Sequence, residues 1–179
     1  MSYYDIDAIL TDGQKLPCTF ELEVPGLGFL EGNPGENIKT GTQVDLPLWL
    51  GEMLSIGARL GTSRLVTLDI PSALSERVMN ALKADPRTVD LRAQAPHFYS
   101  LGVRILELFE EEEMGDVLSD TLSKRAAEVA NHAHNPRGAL GDGVDFLRGL
   151  DETERQLFRI AHDSAKEIRI WAGEAKKPK

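Results

Sequence analysis

The hydrophobic period of this chain changes part-way along its length, and that change sets what it can fold into. Up to Pro47 turn-formers are dense: Pro17, Pro25, Gly26, Gly28, Gly32, Pro34, Gly35 and Gly41 all fall there. Among them, Cys18, Phe20, Leu22 and Val24 alternate with Thr19, Glu21 and Glu23, the period of two of a half-buried strand. Val24-Pro25-Gly26 ends that run, and Asn33-Pro34-Gly35 reads as a turn. Val44 and Leu46, flanking Asp45, predict a further short strand. A helix follows from Asp45 or Leu46, because proline is tolerated in a first turn whose N–H groups have no intrahelical partner. Leu50, Met53, Leu54 and Leu60 give it an apolar face, weakened by Gly51 and Gly57. Gly61-Thr62-Ser63 is the predicted linker, after which Val66, Leu68 and Ile70 predict a short strand up to Pro71.

Beyond Pro71 the apolar spacing is helical throughout. Ser72 is placed to cap a helix through about Lys83, which Asp85-Pro86 terminates. Phe98, Leu101, Ile105, Leu108 and Phe109 predict a helix of about four turns from Pro96, closed by Glu110 to Glu113. Leu118, Leu122, Ala126, Val129 and Ala133 form a third stripe. The last helix opens at Asp151-Glu152-Thr153-Glu154, where Asp151 and Glu154 have capping-box spacing. Leu157, Ala161, Ser164, Ile168 and Trp171 then recur at three- and four-residue steps, a pattern that favours long helices packed nearly parallel. The predicted fold class is α+β, mainly α: a small β-rich N-terminal unit closed by a short helix (residues 1–62), then a helical bundle (63–179).

Composition narrows the function. The chain has 179 residues, 41% of them hydrophobic, enough for a packed core without disulfides or metals. No stretch approaches the roughly 18 unbroken apolar residues of a membrane span, and Met1 to Asp5 lacks the basic and apolar regions of a secretory signal. The single cysteine, Cys18, cannot form an internal disulfide, which suits a reducing compartment. A net charge of −9 repels phosphate on average, so no direct nucleic-acid binding is expected and proteins are the expected partners. Lys124-Arg125 and the Lys176-Lys177-Pro178-Lys179 tail are the notable basic spots.

The chemical motifs point away from a catalytic centre. Glu110 to Glu113 would point around a helix and sit at its C-terminus, the wrong end for the helix dipole. They read as a solvated helix end. His132 and His134 stand two apart, whereas zinc-binding helices use a spacing of four, so they read as a helix end and not a metal pair. His97 reads as a buried hydrogen-bonding residue, and His162 lies on the polar side of the last stripe. Gly26, Gly28 and Gly32 have the wrong spacing for a dinucleotide loop and are expected in turns. Cys18, on the inward face of its strand without a base, is expected in the core. Trp49 and Trp171 sit on or near apolar helix faces, fitting either a core or a subunit interface, where tryptophan is enriched.

A set of short phrases runs in one order over nearly the full length. They are Leu16-Pro17, Val24-Pro25 with Leu27-Gly28, Gly41-Thr42 running into Leu46-Pro47-Leu48-Trp49-Leu50, and Ala84-Asp85-Pro86 with Val89-Asp90-Leu91. Pro96-His97-Phe98-Tyr99, Leu150-Asp151-Glu152, Glu154-Arg155 and Leu157-Phe158 complete it. Each phrase is weak alone; the ordered set is specific. With it the chain resembles the GINS complex subunits of the Psf-three type, except over 30–40, 110–117 and beyond Trp171. The resemblance implies a small β-rich B domain followed by a helical A domain, within a heterotetramer of four related subunits held by helical bundles. It further implies that the tetramer joins the Cdc-forty-five protein and the minichromosome-maintenance motor ring in the CMG helicase of DNA replication, in the nucleus. No catalytic residue, cofactor or metal is implied for this subunit. On this reading Trp49, Phe98, Leu101, Ile105, Leu157, Phe158, Ile168 and Trp171 serve core packing or partner interfaces. The competing readings are an acidic helical adaptor that forms homodimers through the same helices, and a small hydrolase, disfavoured because no acid, base and nucleophile converge.

Overall fold

The computed structural model describes residues 4–56, 64–109, 111–135 and 142–174. The chain divides into two compact units, Met1–Ser75 and Glu76–Lys179. In the first, α1 (Ile6–Asp12) leads into β1 (Lys15–Phe20), and β2 (Gln43–Pro47) runs directly into α2 (Leu48–Ser55). β3 (Val66–Leu68) completes a sheet of order β2-β1-β3 in which both pairings are antiparallel. Leu16, Cys18 and Phe20 on alternate positions of β1 are buried, together with Leu46 and Val66 of its neighbours. Pro47 ends β2 and stands at the N-cap of α2, where its missing N–H removes no helix bond. Gly51 lets α2 lie close on the sheet: a Cβ there would come within 3.0 Å of Leu68 Cδ2 and 3.1 Å of Cys18 Sγ.

Several expectations for this unit are corrected. β1 starts earlier than the alternation implied and stops at Phe20, where Gly41 donates to the Phe20 carbonyl at 2.7 Å. Leu22 is therefore exposed, and Val24 rejoins only as an isolated bridge to Ile38. α2 buries Leu48 and Gly51; Met53 faces out, and Leu50 and Leu54 are half-buried. Leu60 and the predicted linker at 61–63 lie outside the described residues. Past them, β3 hydrogen-bonds to β1, so the compact first unit runs on to Ser75 rather than breaking after residue 62.

The second unit is all helical among its described residues: α3 (Glu76–Ala84), α4 (Leu91–Gln94), α5 (Phe98–Leu108), α6 (Glu112–His134), α7 (Asp142–Arg148) and α8 (Glu152–Glu174). Leu82, Leu91, Phe98, Leu101, Ile105, Leu118, Val129, Ala133 and Leu150 form its core. Ser72 does not open α3: Ser72–Leu74 is a separate 3-10 turn and Ser75 is extended (ψ 156°), so the helix begins at Glu76. α5 ends at Leu108, at 11 residues, because Phe109 is extended. Glu112 and Glu113 then open α6 instead of closing α5, which puts them at the favourable end of a helix dipole; Glu110 lies outside the described residues. α4 and α7 are too short to show a period. α4 is held at its start by Asp90, whose carboxylate accepts from the Ala93 N–H at 2.9 Å.

Candidate functional site

The second unit is organised around a buried ionic network. Arg125 of α6 is fully buried on the stripe that also carries Leu118 and Val129. Its Nε and Nη2 donate to Glu154 Oε1 and Oε2 at 2.6 and 2.9 Å, a two-point grip on the first turn of α8. The remaining donors reach backbone: Nη1 to the carbonyls of Pro86 (2.8 Å) and Val89 (3.0 Å), and Nη2 to that of Gly149 (3.4 Å). Its Cζ stands 4.8 Å from the centroid of the Phe146 ring. Tyr99 of α5 closes the network, its hydroxyl donating to Glu154 Oε1 at 3.0 Å and its N–H to Asp151 Oδ2 at 3.3 Å.

The predicted capping box is present: the Glu154 N–H donates to Asp151 Oδ1 at 2.8 Å and the Asp151 N–H to Glu154 Oε2 at 3.4 Å. Burial pushes the Asp151 carboxyl up to about 6, against the pull of the Glu154 and Tyr99 N–H groups and with a further push from the Glu154 charge. Burial first, and the Glu154 charge second, also push the Tyr99 hydroxyl upward. Arg125, Asp151 and Glu154 are sealed from solvent, so the network is closed to a substrate. It ties four parts of the bundle together at one point. Arg125, one of the basic spots of the sequence, is therefore spent inside the unit. A lone arginine seven residues after Leu118 and four before Val129 was the available signal.

What the unit leaves open is the outer face of α8. α8 packs against α6 and α5 through a face that includes Glu154 and Ala165. About a quarter turn away, Leu157 (41% exposed), Ile160, Ile168 (62%) and Trp171 (73%) follow one another along the helix with Ser164 between them. Every residue from Lys166 to Trp171 is exposed. The residues expected to pack or to bind therefore separate. Phe98, Leu101 and Ile105 are core; Phe158 is half-buried, its ring stacked on His162 at 6.0 Å; Leu157, Ile168 and Trp171 face outward. In the first unit Trp49 is 49% exposed, beside outward Met53 on α2, and α1 turns Ile6, Ile9 and Leu10 to solvent while burying Thr11.

The other sequence candidates are held in structural roles. His132 Nε2 lies 3.3 Å from Glu128 Oε1, and His134 Nδ1 lies 2.8 Å from the Ala130 carbonyl oxygen near the end of α6. His97 is buried at the start of α5. Among the described residues no group of three or more His, Cys, Asp or Glu is placed to hold a metal ion. Cys18 is buried, and burial pushes its thiol up to about 11, far from a reactive thiolate. Gly26 and Gly32 occupy left-handed turn positions, at φ 75° and 85°. An open cleft of about 910 Å³ lies beside α6 and α7. Its Asp85 carboxylate is paired with Arg87 at 3.2 Å, and its Thr88 hydroxyl donates to the Asp85 carbonyl at 3.0 Å. No described helix is long and apolar enough to cross a membrane.

Comparison with known proteins finds the same two-part arrangement, a small N-terminal unit followed by a helical bundle. The PSF3 N-terminal domain family matches residues 4–56, and the GINS complex protein helical bundle domain family matches residues 73–173. The DNA replication complex GINS protein psf3 of Aspergillus fumigatus is 82% identical over 177 residues, covering 99% of both chains. The protein of the same name from Phaeosphaeria nodorum is 72% identical, covering 98% of each, and that of Saccharomyces cerevisiae 38%, covering 96% of this chain and 98% of the other. The chain belongs to the PSF3 family of GINS complex proteins.

Proposed function

We propose that this chain is a non-catalytic structural subunit of the heterotetrameric GINS complex, acting in DNA replication. Three other GINS subunits complete it, and the tetramer braces the CMG helicase for initiation and elongation. There it meets the Cdc-forty-five protein and the minichromosome-maintenance motor ring, which supplies ATP hydrolysis, in the nucleus. The first unit serves as the B domain and the second as the A domain. The observation that carries this reading is the outward stripe of α8, Leu157, Ile160, Ile168 and Trp171, on a helix that is exposed at every residue from Lys166 to Trp171. Burying such side chains contributes about 1.5–3 kcal/mol each, before the entropic cost of association. Nearly parallel helices from related subunits offer the matching surface. The net charge of −9 argues that the partners are proteins and not nucleic acid.

Expression alone and with the three partner subunits tests the proposal. The chain is expected to aggregate or degrade when alone, and to enter a soluble species with one copy of each partner when co-expressed. A folded solitary monomer, or a stable homodimer indifferent to the other subunits, would refute it.

A further inference from the structure

The segment between β1 and β2 holds two large side chains in water on a tightly fixed support. The Gly28 N–H donates to the Glu36 carbonyl and the Asn33 N–H to the Gly28 carbonyl, each at 2.9 Å. A Cβ on Gly28 would lie 2.6 Å from the Asn33 and Glu36 carbonyl oxygens, so the crossing tolerates no side chain. Below it, Val24 and Ile38 exchange both backbone hydrogen bonds at 3.0 Å, and the Asn37 side chain links the Gly26 N–H (3.2 Å) to Glu23 (2.8 Å). The 3-10 turn Gly28–Glu31 on this support leaves Phe29 57% exposed, with Leu30 and Leu22 also outward. A loop that merely connected two strands would not need to hold its aromatic residue away from the core.

The segment that carries this knob is predominantly acidic. Residues 21–42 carry four carboxylates, at Glu21, Glu23, Glu31 and Glu36, and one cation, Lys39. Glu31 lies in the turn itself, and Glu36 is held beside it through its backbone carbonyl, which accepts from the Gly28 N–H. Such a rim repels nucleic-acid phosphate, anionic lipid and a second copy of this chain at net charge −9. It suits a protein surface. We infer that Phe29 and Leu30 form a docking knob that enters an apolar pocket, ringed by lysine or arginine, on a partner protein. This surface is separate from the stripe on α8, and the inference does not depend on the role assigned to that stripe.

Photo-crosslinking of the full chain, with p-benzoylphenylalanine in place of Phe29, tests it in nuclear extract from dividing cells. The expected adduct is a protein peptide whose apolar residues are flanked by lysine or arginine. Its yield should fall several-fold as sodium chloride rises from about 0.1 to about 0.5 M, and again in the variant Glu31→Lys, Glu36→Lys. Co-purification with the other GINS subunits, measured on the same variants, should be unchanged; its loss would mean that the charge reversal disrupts the subunit itself, and would overturn the inference. No adduct, an adduct to nucleic acid, lipid or this chain itself, a peptide without basic flanks, or a yield indifferent to salt and to the charge reversal would overturn the inference.

Discussion

Arg125 and Glu154 meet in a place where neither can be solvated, so each depends on the other. Removing one partner leaves a buried charge alone, which costs about 3–5 kcal/mol, whereas removing both charges is often nearly neutral. Arg125→Met is therefore expected to lower the urea midpoint sharply. Arg125→Met with Glu154→Gln, which keeps an acceptor for Tyr99, should regain most of the loss. Asp151 gives a pH signature. Its carboxyl is held at about 6 in the fold, against about 3.9 in an unfolded chain. The folded state then binds more protons between these values, and through this group stability falls as pH rises from about 4 to about 6 and is flat above. Asp151→Asn keeps the cap acceptor and cannot titrate, so urea midpoints across that range should lose this component. The capping box was legible from two residues three apart. The Arg125 pairing was not, because its partner lies on a helix far along the chain and periodicity reports where a residue faces, not what it meets.

Elements were read well where one face was uniformly buried and poorly where a tertiary bond ended them. β2 was legible as a short alternation and α8 from its cap; β3 was legible at Val66 and Leu68, but it stops there and leaves Ile70 exposed. β1 was overrun because Leu22 continued the alternation while Gly41 and Thr42 had already taken the backbone of Phe20. α2 misled because its inward position is Gly51, invisible to any count of apolar residues. Gly28 plays a comparable part in the loop between β1 and β2. Gly28→Ala must push the Asn33 and Glu36 carbonyls apart, and such backbone displacement costs about 1–3 kcal/mol. Faster amide exchange confined to residues 24–38, with little change in α5 and α6, is the expected result; uniform protection would contradict the tight crossing.

At the scale of the whole molecule, the sequence could mark apolar stripes but could not divide core from partner surface, since both use the same residue types. The structure makes that division. An aspartate at Ile105 would strike the core, whereas Ile168→Asp with Trp171→Asp changes only side chains that face water. That double variant is expected to keep the circular dichroism of the chain and to weaken its association with partner subunits by about 2 kcal/mol or more, over tenfold in affinity. Unchanged co-purification would mean that the stripe is not the assembly face.

The seclusion of Cys18 has a practical outcome. As the sole thiol in the chain, sealed beneath α2 and held protonated, it can meet an alkylating reagent only when the first unit opens. The pace of its modification is thus a built-in clock for the breathing of the sheet, readable in a crowded mixture without adding a label elsewhere.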